Sequence, residues 1–211
     1  MDGVIVESEH LKAAAHAETA ALFGKPVPRA VYARVMGQTH DAVRSAFLQA
    51  AGASVDSAKY TATYREIYHH LVQTQLTLTP GMSALLAALN TQGYRMALVT
   101  SSSKESAAIT LTRAGLAGFF AVEVFAEDVQ RGKPDPQPYQ TALVRLAIDA
   151  HEAVAFEDSG AGVEAAAAAG LRVFALRHLY NADQDFGKAF YILDSLIDTA
   201  KIVGLIEEAG V

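Results

Sequence analysis

The sequence contains no cysteine, and this absence excludes disulfide bonds, thiolate metal sites and cysteine nucleophiles together. It also lacks any apolar run close to the ~20 residues that span a bilayer, so no membrane partner is expected. The first residues carry no basic stretch ahead of an apolar one, so no signal peptide is predicted. Glycine and proline number only 15 and 6 in 211 residues, too few for a low-complexity or collagen-like chain.

Positive charge is also scarce, with 17 Lys and Arg against 23 Asp and Glu and a formal net charge of −6. The basic residues are scattered, whereas nucleic-acid-binding domains usually cluster them, so no nucleic-acid partner is expected. Hydrophobic residues make up 51% of the chain, which is enough for a core and excludes a wholly disordered polypeptide. The length suits one domain, or one core with a small insert, and the lack of cysteine suits a cytoplasmic protein.

The first third of the chain has helical patterning throughout. Thr39 and Asp56 could cap helix N-termini, and Gly24 and Gly52 are good stop signals. Short turns join these segments, so we predict a four-helix cap over residues 9–76. Its helices are predicted at residues 8–23, 28–36, 39–51 and 56–75.

From Pro80 onward, short apolar runs alternate with helical segments. This alternation indicates βαβ units and a parallel sheet. We therefore predict an α/β fold with a doubly wound, Rossmann-like core formed by residues 1–8 and 77–211. The strands are predicted at residues 94–99, 121–125, 153–156 and 172–176. The helices are predicted at residues 81–91, 104–114, 138–147, 161–169 and 196–209.

Polar residues follow three of the predicted strands, and ligands bind beyond this end of the strands in a parallel α/β sheet. Adjacent carboxylates at Glu157 and Asp158 would attract a hard cation, because Mg²⁺ takes oxygen ligands from one or two carboxylates plus phosphate. The hydroxyl of Thr100 or Ser101 would donate a hydrogen bond to a phosphate oxygen. In chain order the three pairs are Thr100 and Ser101, Glu127 and Asp128, and Glu157 and Asp158.

Two residues elsewhere could complete a site for phosphoryl transfer. Lys133 would bring positive charge to a phosphate, and Asp2 could act as a general acid or base. Each group also has a structural interpretation. Polar residues at strand ends cap helices and turns, Lys133 suits a solvated loop, and Asp2 suits a disordered terminus. The order and spacing of all the groups, rather than any one of them, favour catalysis.

Four short motifs in this order resemble those of the haloacid dehalogenase-like hydrolases, in the branch similar to β-phosphoglucomutase. The resemblance covers essentially the whole chain and implies a doubly wound core with a helical cap inserted just after the first motif. The motifs are Met-Asp-Gly-Val-Ile-Val-Glu-Ser-Glu at 1–9, Leu-Val-Thr-Ser-Ser at 98–102, Gly-Lys-Pro-Asp-Pro at 132–136 and Phe-Glu-Asp-Ser-Gly-Ala-Gly at 156–162.

The resemblance also implies Mg²⁺ and an aspartyl-phosphate intermediate. By position, Asp2 matches the family's general acid/base, and its backbone carbonyl matches a metal ligand. Thr100 matches the phosphate-binding hydroxyl, and Lys133 matches the cation that steadies nucleophile and phosphate. Asp158 matches a metal ligand, with Glu157 beside it as a second ligand or the partner of one.

The first motif departs from the family pattern, Asp-x-Asp-Gly, whose first Asp is the nucleophile. Met1 takes the middle position, so the nucleophile and its apolar strand would precede the chain. One account is that Met1 is internal to a longer chain that carries both. The other is a shortened relative that binds a phosphorylated metabolite without turning it over. Because the strand is central in the family, we expect the core to rearrange or to take a partner strand without it.

Two positions in the predicted cap indicate which kind of reaction and substrate to expect. Residues 37–40 resemble the family's substrate-specificity loop, which makes His40 a candidate substrate contact. A phosphoglucomutase of this branch would carry Arg at His40 and His at Lys12, so the sequence favours a phosphatase over a mutase. We expect a monomer or weak homodimer that hydrolyses a small phosphorylated metabolite such as a sugar phosphate. The alternatives are an inactive phosphate-binding or interaction protein and a sugar phosphomutase.

Overall fold

The computed structural model describes residues 1–36 and 39–211. The chain divides into two compact units, Met1–Val6 with Thr77–Val211, and Glu7–Leu76. The sequence-based prediction places the cap at residues 9–76, and the division by contacts falls at 6/7 and 76/77. Among the residues described, no helix is long and apolar enough to cross a membrane.

In the described part of the Glu7–Leu76 unit there are three α-helices: α1 (Glu9–Phe23), α2 (His40–Ala51) and α3 (Ser57–Gln75). Thr39 Oγ1 accepts the N–H of Ala42 at 3.3 Å, and Asp56 Oδ1 accepts two N–H groups at the start of α3, so both predicted caps form. The segment predicted as a fourth helix is instead a 3₁₀ turn at Arg29–Arg34. Six residues after a proline give fewer than two α-turns, which favours the tighter i→i+3 hydrogen bonding.

The other unit is a parallel α/β structure, as predicted, and its strands pair in two groups. Strand β1 (Ala97–Val99) pairs with β2 (Val122–Val124), and β3 (Val154–Glu157) pairs with β4 (Arg172–Leu176), which pairs with β5 (Tyr191–Leu193). The helices of this unit are α4 (Met82–Thr91), α5 (Lys104–Arg113), α6 (Gln137–Leu146), α7 (Gly160–Ala168) and α8 (Thr199–Glu208).

A parallel sheet was predicted whose core would rearrange without its central strand, and within residues 1–36 and 39–211 the strands form two separate parallel sheets. Strands β1 and β3 both line an apolar cavity of about 340 Å³, together with side chains of α4 and α6. The sheets remain apart because no described strand lies between β1 and β3 to carry the hydrogen-bond ladder across. The carboxyl ends of β1 and β3 nevertheless belong to the same unit and carry the predicted site residues.

Residues 1–6 form a tight turn that packs into the core of this unit. The N–H of Ile5 donates to the carbonyl of Met1 at 2.8 Å, and that of Gly3 donates to the carbonyl of Val6 at 2.9 Å. The turn is anchored further along the chain, since Thr79 N–H donates to the carbonyl of Ile5 at 3.0 Å. The side chains of residues 4–6 are buried. Asp2 is therefore held in a defined place rather than disordered.

Candidate active site

Five of the predicted site residues lie together in the α/β unit. Asp2 stands in the N-terminal turn, Thr100 directly follows β1, and Lys133 lies in the loop before α6. Glu157 ends β3, and Asp158 follows it. Parallel strands bring their carboxyl ends to one edge, which is why residues distant in sequence meet here.

Lys133 and Glu157 form an ion pair at the centre of this cluster. The Lys133 ammonium donates to Glu157 Oε1 and also to the backbone carbonyl of Val99, at 3.3 Å. The hydroxyl of the buried Tyr139 donates to the same Oε1, while Glu157 Oε2 accepts the N–H of Asp158 at 3.3 Å. Both carboxylate oxygens thus have donors, and the lysine is fixed at the end of β1.

The buried carboxylate of Glu157 stays ionised because of these partners. Burial by itself raises its pKa, but the Lys133 ammonium and the hydrogen bonds from Lys133 and Tyr139 outweigh burial and hold the pKa below its ordinary value. Tyr139 shifts the other way: burial and the neighbouring carboxylate raise the pKa of its hydroxyl well above the usual range, so the tyrosine remains a donor. Glu157 therefore pairs with the Lys133 ammonium as an anion, and Tyr139 completes the pair as a neutral donor.

Asp158 lies against the N-terminal turn. Its Oδ2 would be 1.9 Å from a Cβ built on Gly3, which has a φ of +67°, so only glycine allows this approach. On its other side, Oδ2 lies 3.1 Å from His178 Nε2. The carboxylate is 7% exposed and is held between these two neighbours. Because Gly3 follows Asp2 in the chain, the two aspartates belong to one site.

The hydroxyl groups after β1 connect Asp2 with the phosphate-binding candidates. Ser102 Oγ donates to Asp2 Oδ2 at 3.1 Å, and Ser102 N–H donates to Thr100 Oγ1 at 3.1 Å. Thr100 is buried, and its N–H donates to the carbonyl of Val124 at the end of β2. Ser101, also predicted to bind phosphate, is exposed at the tip of this loop.

The amino group of Met1 lies inside the same cluster. Burial and the nearby Lys133 ammonium lower its pKa, while the carboxylates of Asp2, Glu157 and Asp158 act in the opposite direction. The charges that act on the Met1 nitrogen are therefore those of the residues predicted to carry the chemistry. A residue joined to that nitrogen would be attached beside the Lys133 ammonium.

The donor set suits a magnesium ion of the kind bound together with a phosphate. Within the described residues, no three His, Cys, Asp or Glu side chains converge in a way that could hold a metal. Mg²⁺ does not need such a cage, since it keeps several waters and uses one or two carboxylates plus phosphate oxygens. The carboxylate of Asp158, cradled by Gly3 next to Asp2, meets that requirement. Glu157 stays a predicted ligand, although its oxygens accept bonds from Lys133, Tyr139 and Asp158.

His40, the predicted substrate contact of the cap, belongs to the Glu7–Leu76 unit and begins α2. Its ring packs edge-on against Tyr64, with centroids 5.3 Å apart, and lies 5.7 Å from the ring of His16. Burial and the Arg44 guanidinium lower the pKa of His40, so the ring is kept neutral. Two other residues of the predicted specificity loop, Gly37 and Gln38, lie outside the described residues.

The carboxylates after β2 have structural partners. Glu127 accepts the N–H of Lys104 at the start of α5. Asp128 accepts the N–H of Phe125 at 2.8 Å and pairs with Arg145 at 2.7 Å, and these bonds lower its pKa. Both side chains therefore cap local structure, which is the alternative that the sequence left open for strand-end carboxylates.

Sequence reasoning missed four residues that shape the site: Ser102, Tyr139, His178 and Asn181. His178 could have been found, because it lies two residues beyond β4, where the strand-end rule applies as it does for the other strands. Ser102 lies one position beyond the pair that was considered. No local signal distinguishes Tyr139 from an ordinary buried tyrosine of an amphipathic helix, since its role depends on a contact with Glu157, 18 residues away.

Known proteins are similar to this chain in both sequence and fold. A phosphorylated carbohydrates phosphatase from Thermotoga maritima is 29% identical over 209 residues, covering 99% of this chain and 96% of that protein. A validoxylamine A 7′-phosphate phosphatase from Streptomyces hygroscopicus subsp. limoneus is 32% identical over 187 residues, covering 87% and 85%. The crystal structure of CbbY from Rhodobacter sphaeroides in complex with phosphate superposes with a TM-score of 0.82 at 28% identity, covering 94% and 92%.

A family model described as haloacid dehalogenase-like hydrolase matches residues 1–176, which contain all four predicted motifs. The motif residues form the cluster at the ends of β1 and β3, so the match and the geometry concern the same residues. The chain belongs to the haloacid dehalogenase-like hydrolases.

Proposed function

We propose that this protein is a Mg²⁺-dependent phosphatase that hydrolyses a small phosphomonoester, such as a sugar phosphate, through an aspartyl-phosphate. The observation that carries the proposal is the convergence of Asp2, the fixed Lys133 ammonium and Asp158 at the carboxyl ends of parallel strands. One side chain for proton transfer, one cation and one metal-binding carboxylate are the groups that phosphoryl transfer requires.

In this mechanism each of the protein's own residues would have a separate role. Asp2 would protonate the leaving-group oxygen as its bond to phosphorus breaks, and would then take a proton from the water that hydrolyses the acyl phosphate. Lys133 would neutralise charge on the phosphoryl oxygens, and the hydroxyls of Thr100 and Ser101 would donate hydrogen bonds to them. Asp158 and the Asp2 carbonyl would hold Mg²⁺, with Glu157 as a further predicted ligand. The bound metal would polarise the phosphoryl group for attack.

The nucleophile in this proposal is the carboxylate of an Asp that would precede Met1. It would attack phosphorus, and the acyl phosphate that forms would be hydrolysed to release inorganic phosphate and restore the carboxylate. The burial of the Met1 nitrogen beside Lys133, Asp2 and Asp158 supports this assignment, because a preceding residue would be attached within the cluster.

The substrate class rests on the relatives and on the cap. The relatives' names specify phosphorylated carbohydrates and validoxylamine A 7′-phosphate, so a sugar or polyol phosphate is the class to test first. His40 is kept as the predicted cap contact of the leaving group. Its neutral ring offers a hydrogen bond rather than a permanent charge, which suits a hydroxyl more than a second phosphate.

The test is the release of inorganic phosphate from a panel of sugar and polyol phosphates with Mg²⁺. We expect hydrolysis that EDTA abolishes and that Asp158→Asn lowers by about 100-fold or more. Asp194→Asn, which changes an exposed aspartate after β5, serves as the matched control and should leave the rate unchanged.

Three outcomes would count against the proposal. Binding of the phosphates without turnover would favour the inactive binding protein. Isomerisation of a sugar phosphate without release of phosphate would favour the mutase. Hydrolysis that is equally fast in Asp158→Asn would remove Asp158 from the mechanism.

A further inference from the structure

The loop that follows β4 turns back onto the end of β3. Asn181 in this loop is 1% exposed and uses its whole side chain. Its Nδ2 donates to the backbone carbonyls of Leu176 and Asp158, both at 2.8 Å, and its Oδ1 accepts the N–H of His178 at 2.8 Å. The amide therefore holds the loop against the backbone of Asp158 and fixes the position of the His178 backbone.

The ring of His178 is oriented by a second hydrogen bond. Its Nδ1 accepts the backbone N–H of Tyr180 at 3.2 Å, so that nitrogen carries a lone pair and the ring proton is on Nε2. Nε2 lies 3.1 Å from Asp158 Oδ2 and donates to it. The direction of the bond thus follows from the backbone contact on the far side of the ring.

We propose that His178 is a positioning residue for Asp158, orienting its carboxylate so that Asp158 binds the divalent cation. This inference rests on the proposed function, in which Asp158 holds Mg²⁺. With Oδ2 bonded to Nε2 and held between His178 and Gly3, the carboxylate loses the freedom to rotate about its Cβ–Cγ bond. Hydrogen bonds of this kind to a ligating carboxylate keep the ligand in its binding orientation and commonly change metal affinity 10- to 100-fold.

In this proposal His178 does not contact the phosphate. Its removal should therefore weaken metal binding more than it lowers the turnover rate. His178→Leu keeps an apolar side chain of similar bulk but has no donor. His178→Gln places an amide N–H near the former position of Nε2 and can restore the bond. His151→Leu changes an exposed histidine of the same unit and is the matched control.

The experiment measures the dissociation constant of Mn²⁺ from the substrate-free protein by the loss of the free-ion EPR signal. We expect His178→Leu to weaken Mn²⁺ binding about 10- to 100-fold, His178→Gln to stay within about threefold of wild type, and His151→Leu to match wild type. Thermal unfolding in EDTA should be similar for His178→Leu and His178→Gln, which separates metal positioning from general stability. In the assay with substrate, the Mg²⁺ concentration for half-maximal rate should rise more than kcat falls.

Wild-type Mn²⁺ affinity in His178→Leu, or equal weakening in His178→Leu and His178→Gln, would overturn the role of His178. Asp158→Asn distinguishes that result from a failure of the proposed function. If Asp158→Asn abolishes Mn²⁺ binding while His178→Leu does not change it, only the inference about His178 fails. If the wild-type protein binds no Mn²⁺ either alone or with inorganic phosphate present, the metal site itself is refuted and the inference fails with it.

Discussion

Replacing Glu157 with Gln tests whether a buried ion pair fixes the Lys133 ammonium. The side chains of Lys133 and Glu157 are only 12% and 6% exposed, so the change leaves an uncompensated ammonium largely out of water. Breaking a buried pair from one side costs about 3–5 kcal/mol, and we expect a loss in this range because Gln offers one oxygen where Tyr139 and Asp158 N–H bond two. Urea unfolding at pH 7, followed by circular dichroism, measures this loss.

A double-mutant cycle isolates the pair. Lys133→Met removes the ammonium and keeps most of the side-chain stem, so the variant with both changes has neither charge left unpaired. We expect the double variant to be more stable than the sum of the single effects predicts, by about 2 kcal/mol. A coupling below about 0.5 kcal/mol, or a loss below about 1 kcal/mol in Glu157→Gln, would refute the idea that this ion pair holds the lysine in place.

The Lys133–Glu157 ion pair also predicts how the free energy of unfolding changes with pH. The folded protein holds the pKa of Glu157 below its ordinary value of 4.5, so the unfolded chain binds the proton more readily. The stability from this group is therefore present above about pH 4.5 and is lost as the pH falls through the folded pKa. Glu157→Gln should flatten this part of the curve of unfolding free energy against pH.

Two further predictions concern close packing and a buried ring. A Cβ on Gly162 would lie 2.0 Å from Glu157 Oε2, whereas one on Gly204 in α8 meets no atom within 4 Å. Gly162→Ala should therefore destabilise the protein by about 2 kcal/mol or more, while Gly204→Ala should stabilise it by about 0.5–1 kcal/mol. Equal urea midpoints for the two variants would contradict this. Burial, with the nearby His40 ring and Lys12 ammonium, lowers the pKa of His16 to about 3 from 6.5, so the neutral ring is favoured in the folded state and stability falls as the pH drops below 6.5. Between pH 7 and pH 4.5 the protonation of His16 lowers the free energy of unfolding by about 2–3 kcal/mol. The His16→Gln variant should lose about 2–3 kcal/mol less than wild type over the same range, as measured by urea unfolding at both pH values.

The parts of the fold with strong local signals could be predicted from sequence. Asp56 and Thr39 cap their helices as expected, and β4 has the predicted bounds, because capping and the apolar run Val-Phe-Ala-Leu are encoded within a few positions. Strand β5 was not predicted, since its three residues become a strand only through pairing with β4. The 3₁₀ turn at Arg29–Arg34 was predicted as a helix because periodicity does not distinguish the two over six residues.

The candidate site followed a similar rule. The strand-end principle located Thr100, Glu157 and Asp158, since parallel strands bring their ends together whatever their separation in sequence. The sequence could not indicate that Glu157 bonds Lys133 and Tyr139, or that His178 bonds Asp158. Those roles depend on side-chain distances set by tertiary packing.

The central claim is that turnover passes through an aspartyl-phosphate on the residue joined to the Met1 nitrogen. The most direct measurement takes the protein from its natural source, mixes it with a substrate found in the phosphate-release panel, traps the acyl phosphate with borohydride and maps the N-terminal peptides by mass spectrometry. We expect a peptide in which a reduced Asp immediately precedes Met1-Asp2-Gly3. A protein whose first residue is Met1, or a modified residue found only at Asp2 or Asp158, would contradict it.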